Sequence, residues 1–294
     1  MASDKLETLL QKRAIVLDGG MGTEFQRRGV PAGTHPDLLN LTNPSLVKEV
    51  VQSYAVAGSD IVLTNTFGST RFVLEKHGAA DKLSDINRAA AELAREAVGS
   101  VDDRDVLVFG DLGPTGVMLM LGEVPETAIY DAYYEQASAL KAGGVDGVVV
   151  ETSSDPQEAS LAVKACKDLG LFTSATATFG CGKKKDRTMM GATPEKFVEA
   201  VVRSGVDAVG SNCGLGIESF RAICERMRAV TSLPLWMKSN AGLPETVDGQ
   251  IVYRQTPEEF AVQAVQLLDV GAKFIGGCCG SNPSFISAIR ALLG

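Results

Sequence analysis

The segment VDGVVVET, residues 145–152, has the pattern of a buried parallel strand. It follows Gly143 and Gly144, continues through three consecutive valines, and ends in the carboxylate of Glu151. A nearly unbroken apolar run of this kind is typical of a strand covered on both faces, whereas a half-exposed strand alternates apolar and polar residues. Seven further runs share this character: AIVLDGG (14–20), DIVLTNT (60–66), VLVFGDLG (106–113), LFTSATAT (171–178), VDAVGSNC (206–213), LPLWMKSN (233–240) and AKFIGGCC (272–279).

Segments with the length and periodicity of helices lie between these runs. Five of them begin with proline, which is favoured in the first helical turn, and are preceded by a residue type that caps helix N-termini. The expected N-caps are Asn43, Asp155, Thr193, Thr256 and Asn282. The predicted helices are Pro44–Ala57, Ile86–Val98, Ala128–Ala142, Pro156–Asp168, Pro194–Arg203, Ile217–Val230, Pro257–Val270 and Pro283–Leu293.

A weak internal repeat accompanies this alternation. It reads AGSD at 57–60, GGVD at 143–146 and SGVD at 204–207, with VGAK at 270–273 as a divergent copy. Each copy places a glycine where a helix ends, a position that favours the left-handed backbone conformation. Ordinary connections between a helix and a strand explain the repeat equally well, and both readings support the same order of elements.

Eight strand and helix units in 294 residues predict an α/β fold, a single eight-stranded parallel β/α barrel of the TIM type over residues 1–294. A helix over about residues 1–12 is expected before the first strand. An open, doubly wound sheet is the alternative. Against it, DGGMGT at 18–23 lacks the spaced glycines of a dinucleotide-binding fold.

Composition excludes several classes of protein. Apolar residues make up 45% of the chain, enough to form a large core, and the net charge of −8 disfavours nucleic acid and anionic membrane surfaces as partners. The charged N-terminus MASDKLETLLQKR lacks the apolar centre of a secretory signal, and no apolar run is long enough to span a membrane. A cytoplasmic location is therefore expected.

Polar residues follow most of the predicted strands. Because the carboxyl ends of barrel strands meet at one face, which carries the chemistry in TIM barrels, these residues form a candidate site. They are Asp18 with Gly19 and Gly20, Asn65 with Thr66, Asp111, Glu151, Asn212 with Cys213, Asn240, and Cys278 with Cys279.

Three of the six cysteines belong to this set, which suggests a metal site. Cys213, Cys278 and Cys279 could bind zinc, leaving a fourth position open for a thiol substrate that would bind as a thiolate. The residues alone leave open that the three are small buried side chains. The remaining cysteines are assigned to other places: Cys166 and Cys224 to buried helix positions, and Cys181 to an exposed loop.

The carboxylates suggest an amino-acid ligand. Asp18 and Glu151 end apolar strands, where a charge is costly unless it is paired or used, so together they could hold an ammonium group. His35 and His77 lie away from the strand ends, so no histidine-based catalytic triad is predicted. The lysines at 183–185 are interpreted as a solvated loop.

Eight motifs resemble the zinc-dependent homocysteine S-methyltransferase family and span nearly the whole chain. Three of them, LTNTFG, KHG and GDLGPTG, are most similar to the homocysteine-binding module of cobalamin-dependent methionine synthase. The full set is LDGGMGTEFQRRG, GSDIVLTNTFGST, EKHG, FGDLGPTG, VDGVVVETSSD, GSNCGLG, SNAGLP and FIGGCCG.

The resemblance implies a function for each part of the site. Cys213, Cys278 and Cys279 would hold Zn²⁺, and the sulfur of homocysteine would be the fourth ligand, activated as a zinc thiolate for methyl transfer that gives methionine. The other residues implied are Asp18, Gly19, Gly20 and Glu151 for the amino group, Asn240 as a residue that approaches zinc when substrate is absent, and Thr66 and Phe67 as the pocket wall.

The methyl donor is open at this stage. The folate- and cobalamin-binding modules of methionine synthase have no counterpart here, so we expect the methyl group to arrive on a separate molecule, most simply methylcobalamin or another methylated corrinoid on a partner protein. An S-methyl sulfonium or a betaine are the other donors. Two further alternatives are a component that demethylates another substrate onto a corrinoid protein and a noncatalytic subunit that binds zinc or thiols. A barrel lyase or isomerase with buried cysteines completes the alternatives.

Overall fold

Eight parallel strands form one sheet that curls into a nearly closed barrel, which confirms the predicted α/β class. The computed structural model describes residues 2–31, 33–101, 104–247 and 250–294. The barrel strands follow the order β1-β10-β7-β6-β5-β4-β3-β2. All the strands are β1 (Ile15–Val16), β2 (Ile61–Leu63), β3 (Leu107–Leu112), β4 (Gly147–Ser153), β5 (Phe172–Ala177), β6 (Ala208–Cys213), β7 (Leu235–Ser239), β8 (Glu245–Val247), β9 (Gln250–Val252) and β10 (Ala272–Gly277).

Helices surround the barrel and alternate with its strands. They are α1 (Ala2–Gln11), α2 (Met21–Arg27), α3 (Leu39–Thr42), α4 (Pro44–Ala57), α5 (Arg71–Lys76), α6 (Leu83–Gly99), α7 (Glu126–Ala142), α8 (Pro156–Asp168), α9 (Pro194–Arg203), α10 (Phe220–Arg228), α11 (Pro257–Gln266) and α12 (Pro283–Leu293). Short 3₁₀ turns replace the predicted start of α10, at Ile217–Ser219, and the predicted end of α11, at Leu267–Val270. No helix within the described ranges is long and apolar enough to cross a membrane.

All five predicted N-caps are confirmed. The side-chain oxygens of Asn43, Asp155, Thr193, Thr256 and Asn282 each accept a backbone N–H from the first turn of the following helix. Each cap satisfies a donor that the helix itself cannot pair, an interaction that contributes about 1 kcal/mol to helix stability.

The internal repeat has a structural basis in both its glycine and its aspartate. Gly58, Gly144, Gly205 and Gly271 all have positive φ, between 83° and 117°, as predicted for residues that end helices. Each aspartate then binds one residue of the neighbouring strand twice: its N–H donates to that residue's carbonyl, and its carboxylate accepts that residue's N–H. The pairs are Asp60 with Val16, Asp146 with Val108, and Asp207 with Thr173.

The first of these pairs joins β1 to β2, the two strands at the ends of the sheet order. Asp60 is 4% exposed, and its carboxylate also lies 3.1 Å from Lys12 and 2.7 Å from Arg290. A second link is the N–H of Leu63, which donates to the carboxylate of Asp18 at 2.8 Å. Side-chain hydrogen bonds therefore connect the strands where ladder pairing is missing, and one of them involves a predicted site residue.

The core has two layers. Apolar side chains of the strands fill the barrel interior, where Phe109, Trp236 and Phe274 form a chain of ring contacts with centroids 5.9 and 4.9 Å apart. A second layer packs the outer strand faces against the helices. All positions of β1, β2, β3 and β7 are buried, as predicted for strands covered on both faces.

The antiparallel hairpin β8–β9 was not anticipated from the sequence. It follows β7 and lies outside the barrel sheet, and its Glu245 and Ile251 side chains are exposed. Strands of only three residues, ETV and QIV, lack the continuous apolar pattern by which the barrel strands are recognised. Cys166 and Cys224 are buried within helices and Cys181 is exposed, as the sequence indicates.

Candidate metal centre and substrate pocket

Three cysteine sulfurs meet at the carboxyl end of the barrel. Cys213 is the last residue of β6, and Cys278 and Cys279 directly follow β10. Strand β7 lies between these two strands in the sheet, so the loops that carry the cysteines are close together. The three Sγ atoms lie within 4.8 Å of one another. The structure therefore brings together the three cysteines predicted to bind zinc.

The local backbone is unusual at Cys213. Its φ is +61°, a left-handed conformation that non-glycine residues seldom adopt and that costs of order 1 kcal/mol or more. Cys278 and Cys279 follow Gly276 and Gly277, where an added Cβ atom would meet Leu17 at 2.6 Å and Ser281 at 2.2 Å. These glycines let the strand end pass close to its neighbours while the two cysteines turn toward Cys213.

The sulfurs interact strongly with one another. Hydrogen bonds from the thiols of Cys278 and Cys279 hold the pKa of Cys213 well below its usual value, which favours its thiolate form. The bond with Cys213 raises the pKa of Cys278, because it then donates to the thiolate. Three sulfur donors within a few ångströms, without histidine or carboxylate among them, form a donor set suited to a soft divalent cation such as zinc.

Asn240 connects the two loops that carry the cysteines. Its Oδ1 accepts the N–H of Cys279 at 3.1 Å, and its Nδ2 donates to the carbonyl of Gly214 at 2.9 Å. Asn240 is 5% exposed and does not line the adjacent pocket. In this conformation the side chain fixes the spacing between the β6 and β10 loops.

A pocket of about 430 Å³ opens beside the sulfurs at the carboxyl end of the strands. Its walls include Cys213, Cys278 and Cys279, so a ligand in the pocket would contact the cysteine cluster directly. Of the other predicted site residues, Asn212 and Asn240 do not line it, and those that do are Asp18, Gly19, Gly20, Asn65, Thr66, Phe67, Asp111 and Glu151. Pockets of this size are typical of small-molecule sites.

Thr66 and Phe67 form the wall that follows β2. The hydroxyl of Thr66 is buried and donates to the carbonyl of Asp111 at 2.7 Å, which ties this loop to β3. Phe67 is 40% exposed. Gly113 donates its N–H to the carbonyl of Phe67 at 3.0 Å, and an added Cβ at Gly113 would lie 2.4 Å from that oxygen, so only glycine permits this approach.

The buried charges around the pocket include one lysine that the sequence interpretation overlooked. Lys238, on β7, is 3% exposed, and its Nζ lies 3.1 Å from Oδ1 of Asp18 and 3.2 Å from the carbonyl of Gly19. Burial by itself lowers the pKa of Lys238, but the carboxylates of Asp18 and Glu151 outweigh it and hold the pKa well above its usual value. A lysine inside the apolar run LPLWMKSN was the signal available in the sequence.

Three carboxylates surround this ammonium group. Burial raises the pKa of Asp18, with Lys238 acting in the opposite direction, and raises that of Glu151 to about 8. The pKa of Asp111 is raised well above its usual value by burial and by the neighbouring Glu151. Asp18 lies where predicted, but its carboxylate is already paired with Lys238, so its contact with a substrate amino group stays a prediction.

Asn212 holds the loop that follows Glu151. Its Oδ1 accepts the N–H of Thr152 and the hydroxyl of Thr176, both at 2.7 Å, while its Nδ2 donates to the hydroxyl of Thr152 at 2.7 Å. Thr152 has a φ of +59°, which is strained for a β-branched residue. Since Asn212 precedes Cys213 and Thr152 follows Glu151, one side chain links the cysteine cluster to the carboxylate cluster.

The histidines lie nearer the pocket than their sequence positions suggest. His35 lines the pocket, and its ring stacks on that of His77 with centroids 4.2 Å apart. Burial and the second imidazole lower the pKa of His35. The buried Asp37 does not contact these rings by hydrogen bonds but accepts the N–H of Gly68 and the hydroxyl of Ser69, both at 2.7 Å.

Comparison with known proteins identifies the family that this sequence matches. The sequence model of a family described as homocysteine S-methyltransferase matches residues 15–293. Methionine synthase of Mycobacterium leprae (strain TN) is 30% identical over 308 residues, and that of Mycobacterium tuberculosis (strain ATCC 25618 / H37Rv) is 29% identical; each match covers 98% of this chain and 25% of the relative. The chain thus spans about a quarter of the length of these curated relatives.

Solved structures show a shared fold. The metallated form of the homocysteine methyltransferase MmuM from Escherichia coli is similar with a TM-score of 0.81 and 23% identity, over 98% of this chain and 99% of that chain. Its oxidized form gives a TM-score of 0.80 with 24% identity, over 98% and 99% of the two chains.

Proposed function

Because the chain belongs to the homocysteine S-methyltransferase family, we propose that it transfers a methyl group to the sulfur of homocysteine and so forms methionine. The observation that carries the proposal is the convergence of the Cys213, Cys278 and Cys279 sulfurs on the wall of a pocket lined by carboxylates. A thiol at one end and an amino group at the other are the two functional groups this arrangement is suited to bind.

Cys213, Cys278 and Cys279 would hold a zinc ion. Three protein ligands leave one coordination position open, which is typical of catalytic rather than structural zinc. When bound, Zn²⁺ supplies a site that favours the deprotonated form of a substrate thiol and keeps its sulfur nucleophilic at neutral pH. In the methyl transfer the S–H bond of homocysteine breaks and its proton is released to solvent. An S–CH₃ bond forms, and the bond between the methyl group and its donor breaks.

The chain's own residues orient the substrate. Asp18 and Glu151 would contact the amino group, and Gly19 and Gly20 let the backbone after β1 approach the ligand closely. Thr66 and Phe67 would form the side wall, with Thr66 fixed by its bond to the Asp111 carbonyl. Holding the thiol and the reacting methyl group in one geometry lowers the entropic part of the barrier, which is the main contribution such residues make.

Asn240 would act as a positioning residue. Its amide bridges Cys279 and Gly214, so it keeps the loops of two cysteine ligands in register. The approach of Asn240 to zinc in the absence of substrate, which the family resemblance implies, is part of the proposal.

We propose a methylated corrinoid as the methyl donor. The support is the similarity of LTNTFG, KHG and GDLGPTG to the module of cobalamin-dependent methionine synthase. The pocket is at the carboxyl end of the barrel, where a donor can approach the sulfur from outside.

The test combines an activity assay with zinc spectroscopy. Zinc-loaded protein is incubated with homocysteine and, in separate reactions, methylcobalamin, S-methylmethionine or betaine, and methionine is quantified by mass spectrometry. We expect methionine from methylcobalamin, and X-ray absorption at zinc should show a fourth sulfur when homocysteine is added. Cys278→Ser should lose both signals, while Cys181→Ser, at an exposed position, should keep them.

Each negative result has a different meaning. Tight zinc binding with a fourth sulfur but no methionine from any of the three donors would contradict methyl transfer and favour a noncatalytic thiol-binding subunit. Methionine from S-methylmethionine alone would contradict the corrinoid donor. A purified protein that binds no zinc would contradict the metal centre.

A further inference from the structure

Tyr253, an aromatic residue that the sequence interpretation did not consider, lies against the cysteine cluster. It directly follows strand β9 of the β8–β9 hairpin. Its hydroxyl makes a hydrogen bond with the side chain of Cys279, and the electrostatic influence of Cys213 and Cys278 also reaches it. Tyr253 is not among the described residues that line the pocket. Its contact with the cluster is therefore separate from the contacts that a bound substrate would make.

The ring of Tyr253 packs on the backbone of Gly280, which directly follows Cys279. A Cβ atom added at Gly280 would lie 2.2 Å from Cγ of Tyr253 and 2.4 Å from its Cδ1. The φ of Gly280 is +82°, so both the backbone conformation and the available space require glycine here. Gly280 also donates its N–H to the hydroxyl of Thr23 at 3.3 Å, and its carbonyl accepts from Arg27 at 3.0 Å. Contacts with α2 and with the tyrosine ring thus hold the backbone beside Cys279.

The chain on both sides of Tyr253 is also held in place. Val252 pairs with Glu245 in the β8–β9 hairpin, and the side chain of Arg254 forms an ion pair with Glu245. Thr256 then caps α11 in a capping box. The connection that carries Tyr253 is short and fixed at both ends, which limits the positions open to its hydroxyl. Such restraint is what a side chain needs to orient a neighbouring ligand accurately.

A phenol is a suitable partner for a sulfur that binds a metal ion. The neutral hydroxyl donates one hydrogen bond, and a cysteine thiolate keeps lone pairs that can accept it. The bond withdraws electron density from the sulfur and favours the deprotonated form, which is the form that binds zinc. Groups that hydrogen-bond to metal ligands orient those ligands and adjust the properties of the metal in this way.

Resting on the function proposed above, we propose that Tyr253 is a positioning residue of the metal centre: its hydroxyl donates a hydrogen bond to the thiolate of Cys279 and orients this ligand toward zinc. Asn240 accepts the backbone N–H of the same cysteine at 3.1 Å. Cys279 is therefore held at its backbone by Asn240 and at its sulfur by Tyr253. The β8–β9 hairpin, which lies outside the barrel sheet, serves the site by holding Tyr253 in place.

The test compares Tyr253→Phe with the unmutated protein in two measurements of metal binding. Phenylalanine keeps the ring on Gly280 and removes only the hydroxyl. Zinc affinity, measured by competition with a chromophoric chelator, should fall about tenfold. In protein loaded with Co²⁺ in place of zinc, the sulfur-to-cobalt charge-transfer band should shift to longer wavelength, because a sulfur that has lost a hydrogen bond gives up electron density more readily.

A matched control separates the hydroxyl from general effects of the substitution. Tyr134→Phe, at a position of α7 that is 39% exposed, makes the same chemical change outside the site and should alter neither measurement. Circular dichroism verifies that each variant is folded before it is loaded with metal.

An unchanged charge-transfer band in Tyr253→Phe would overturn the proposal, whatever the zinc affinity, because the hydroxyl would then not bind the ligand sulfur. An equal shift in Tyr134→Phe would overturn it as well. Neither measurement uses a methyl donor, so the proposed function can hold while the band stays unchanged. Conversely, a protein that forms no methionine from any donor can still show the shift, which distinguishes failure of the proposed function from failure of this assignment.

Discussion

Replacement of Asn212 by alanine would test the connection between the cysteine cluster and the carboxylates. The amide of Asn212 makes three side-chain hydrogen bonds at 2.7 Å, two to Thr152 and one to Thr176. Asn212 and Thr176 are fully buried, so water cannot replace the lost partner at Thr176. The substitution leaves the Thr152 N–H and the Thr176 hydroxyl without an acceptor.

The size of the effect follows from these contacts. A buried polar group left without a partner costs about 1–3 kcal/mol, and an ordinary hydrogen bond contributes about 1 kcal/mol. The unpaired Thr176 hydroxyl and the two bonds to the half-buried Thr152 therefore sum to about 3–5 kcal/mol. The left-handed backbone at Thr152 adds to the cost, because the bonds from Asn212 hold a conformation that the chain otherwise avoids.

The assay is urea denaturation followed by circular dichroism, with Asn43→Ala as the matched control. Asn43 makes one exposed N-cap bond to Leu46, so its loss should cost only about 1 kcal/mol. Because Asn212 adjoins Cys213, we also expect zinc affinity to fall about tenfold in Asn212→Ala. A loss of stability no larger than that of Asn43→Ala would refute the reasoning, since the buried bonds would then contribute no more than a surface cap.

Three other substitutions have defined outcomes. Cys278→Ser should reduce zinc affinity by at least about a hundredfold, measured by competition with a chromophoric chelator, and Cys181→Ser should not; equal affinities would exclude Cys278 as a ligand. Burial raises the pKa of Asp37 to about 7 from its ordinary value of 3.8, so the native state binds more protons than the unfolded chain between these pH values and stability falls as pH rises through this range. Asp37→Asn should flatten that slope by up to about 1.4 kcal/mol per pH unit in denaturation curves, and an unchanged slope would contradict the assignment. Gly210→Ala would place a Cβ atom 1.8 Å from a backbone oxygen of β7 and should destabilise the fold by more than about 4 kcal/mol, whereas Gly22→Ala, with open space around it, should be stabilising or neutral in a thermal melt.

Local patterns were sufficient for much of the architecture. Continuous apolar runs identified all eight barrel strands, and proline with a preceding polar residue located the starts of five helices, including α4 after Asn43 and α12 after Asn282. These features can be predicted from the sequence because each depends on residues adjacent in the chain. The β8–β9 hairpin was missed for the same reason: its strands are only three residues long and do not form a continuous apolar run.

The internal repeat contains one feature that the local sequence predicts and one that it does not. Its glycines were correctly interpreted as helix ends, since a positive φ is a local requirement. The function of its aspartates depends on which strand lies beside them, and Asp60 binds Val16, 44 residues earlier in the chain. Only the closed arrangement of the strands shows that Asp60 links β1 to β2.

At the site, the sequence by itself determined which residue types end the strands, and this was enough to group Cys213, Cys278 and Cys279 as one candidate metal site. The tertiary structure decided which charges are already paired. Lys238 and Asp18 are 220 positions apart in the chain, and their ion pair exists because β7 and β1 both flank β10 in the barrel. The energy of a buried charge depends on its nearest partner in space, so the pairing of Asp18 with Lys238 could be recognised only from the fold.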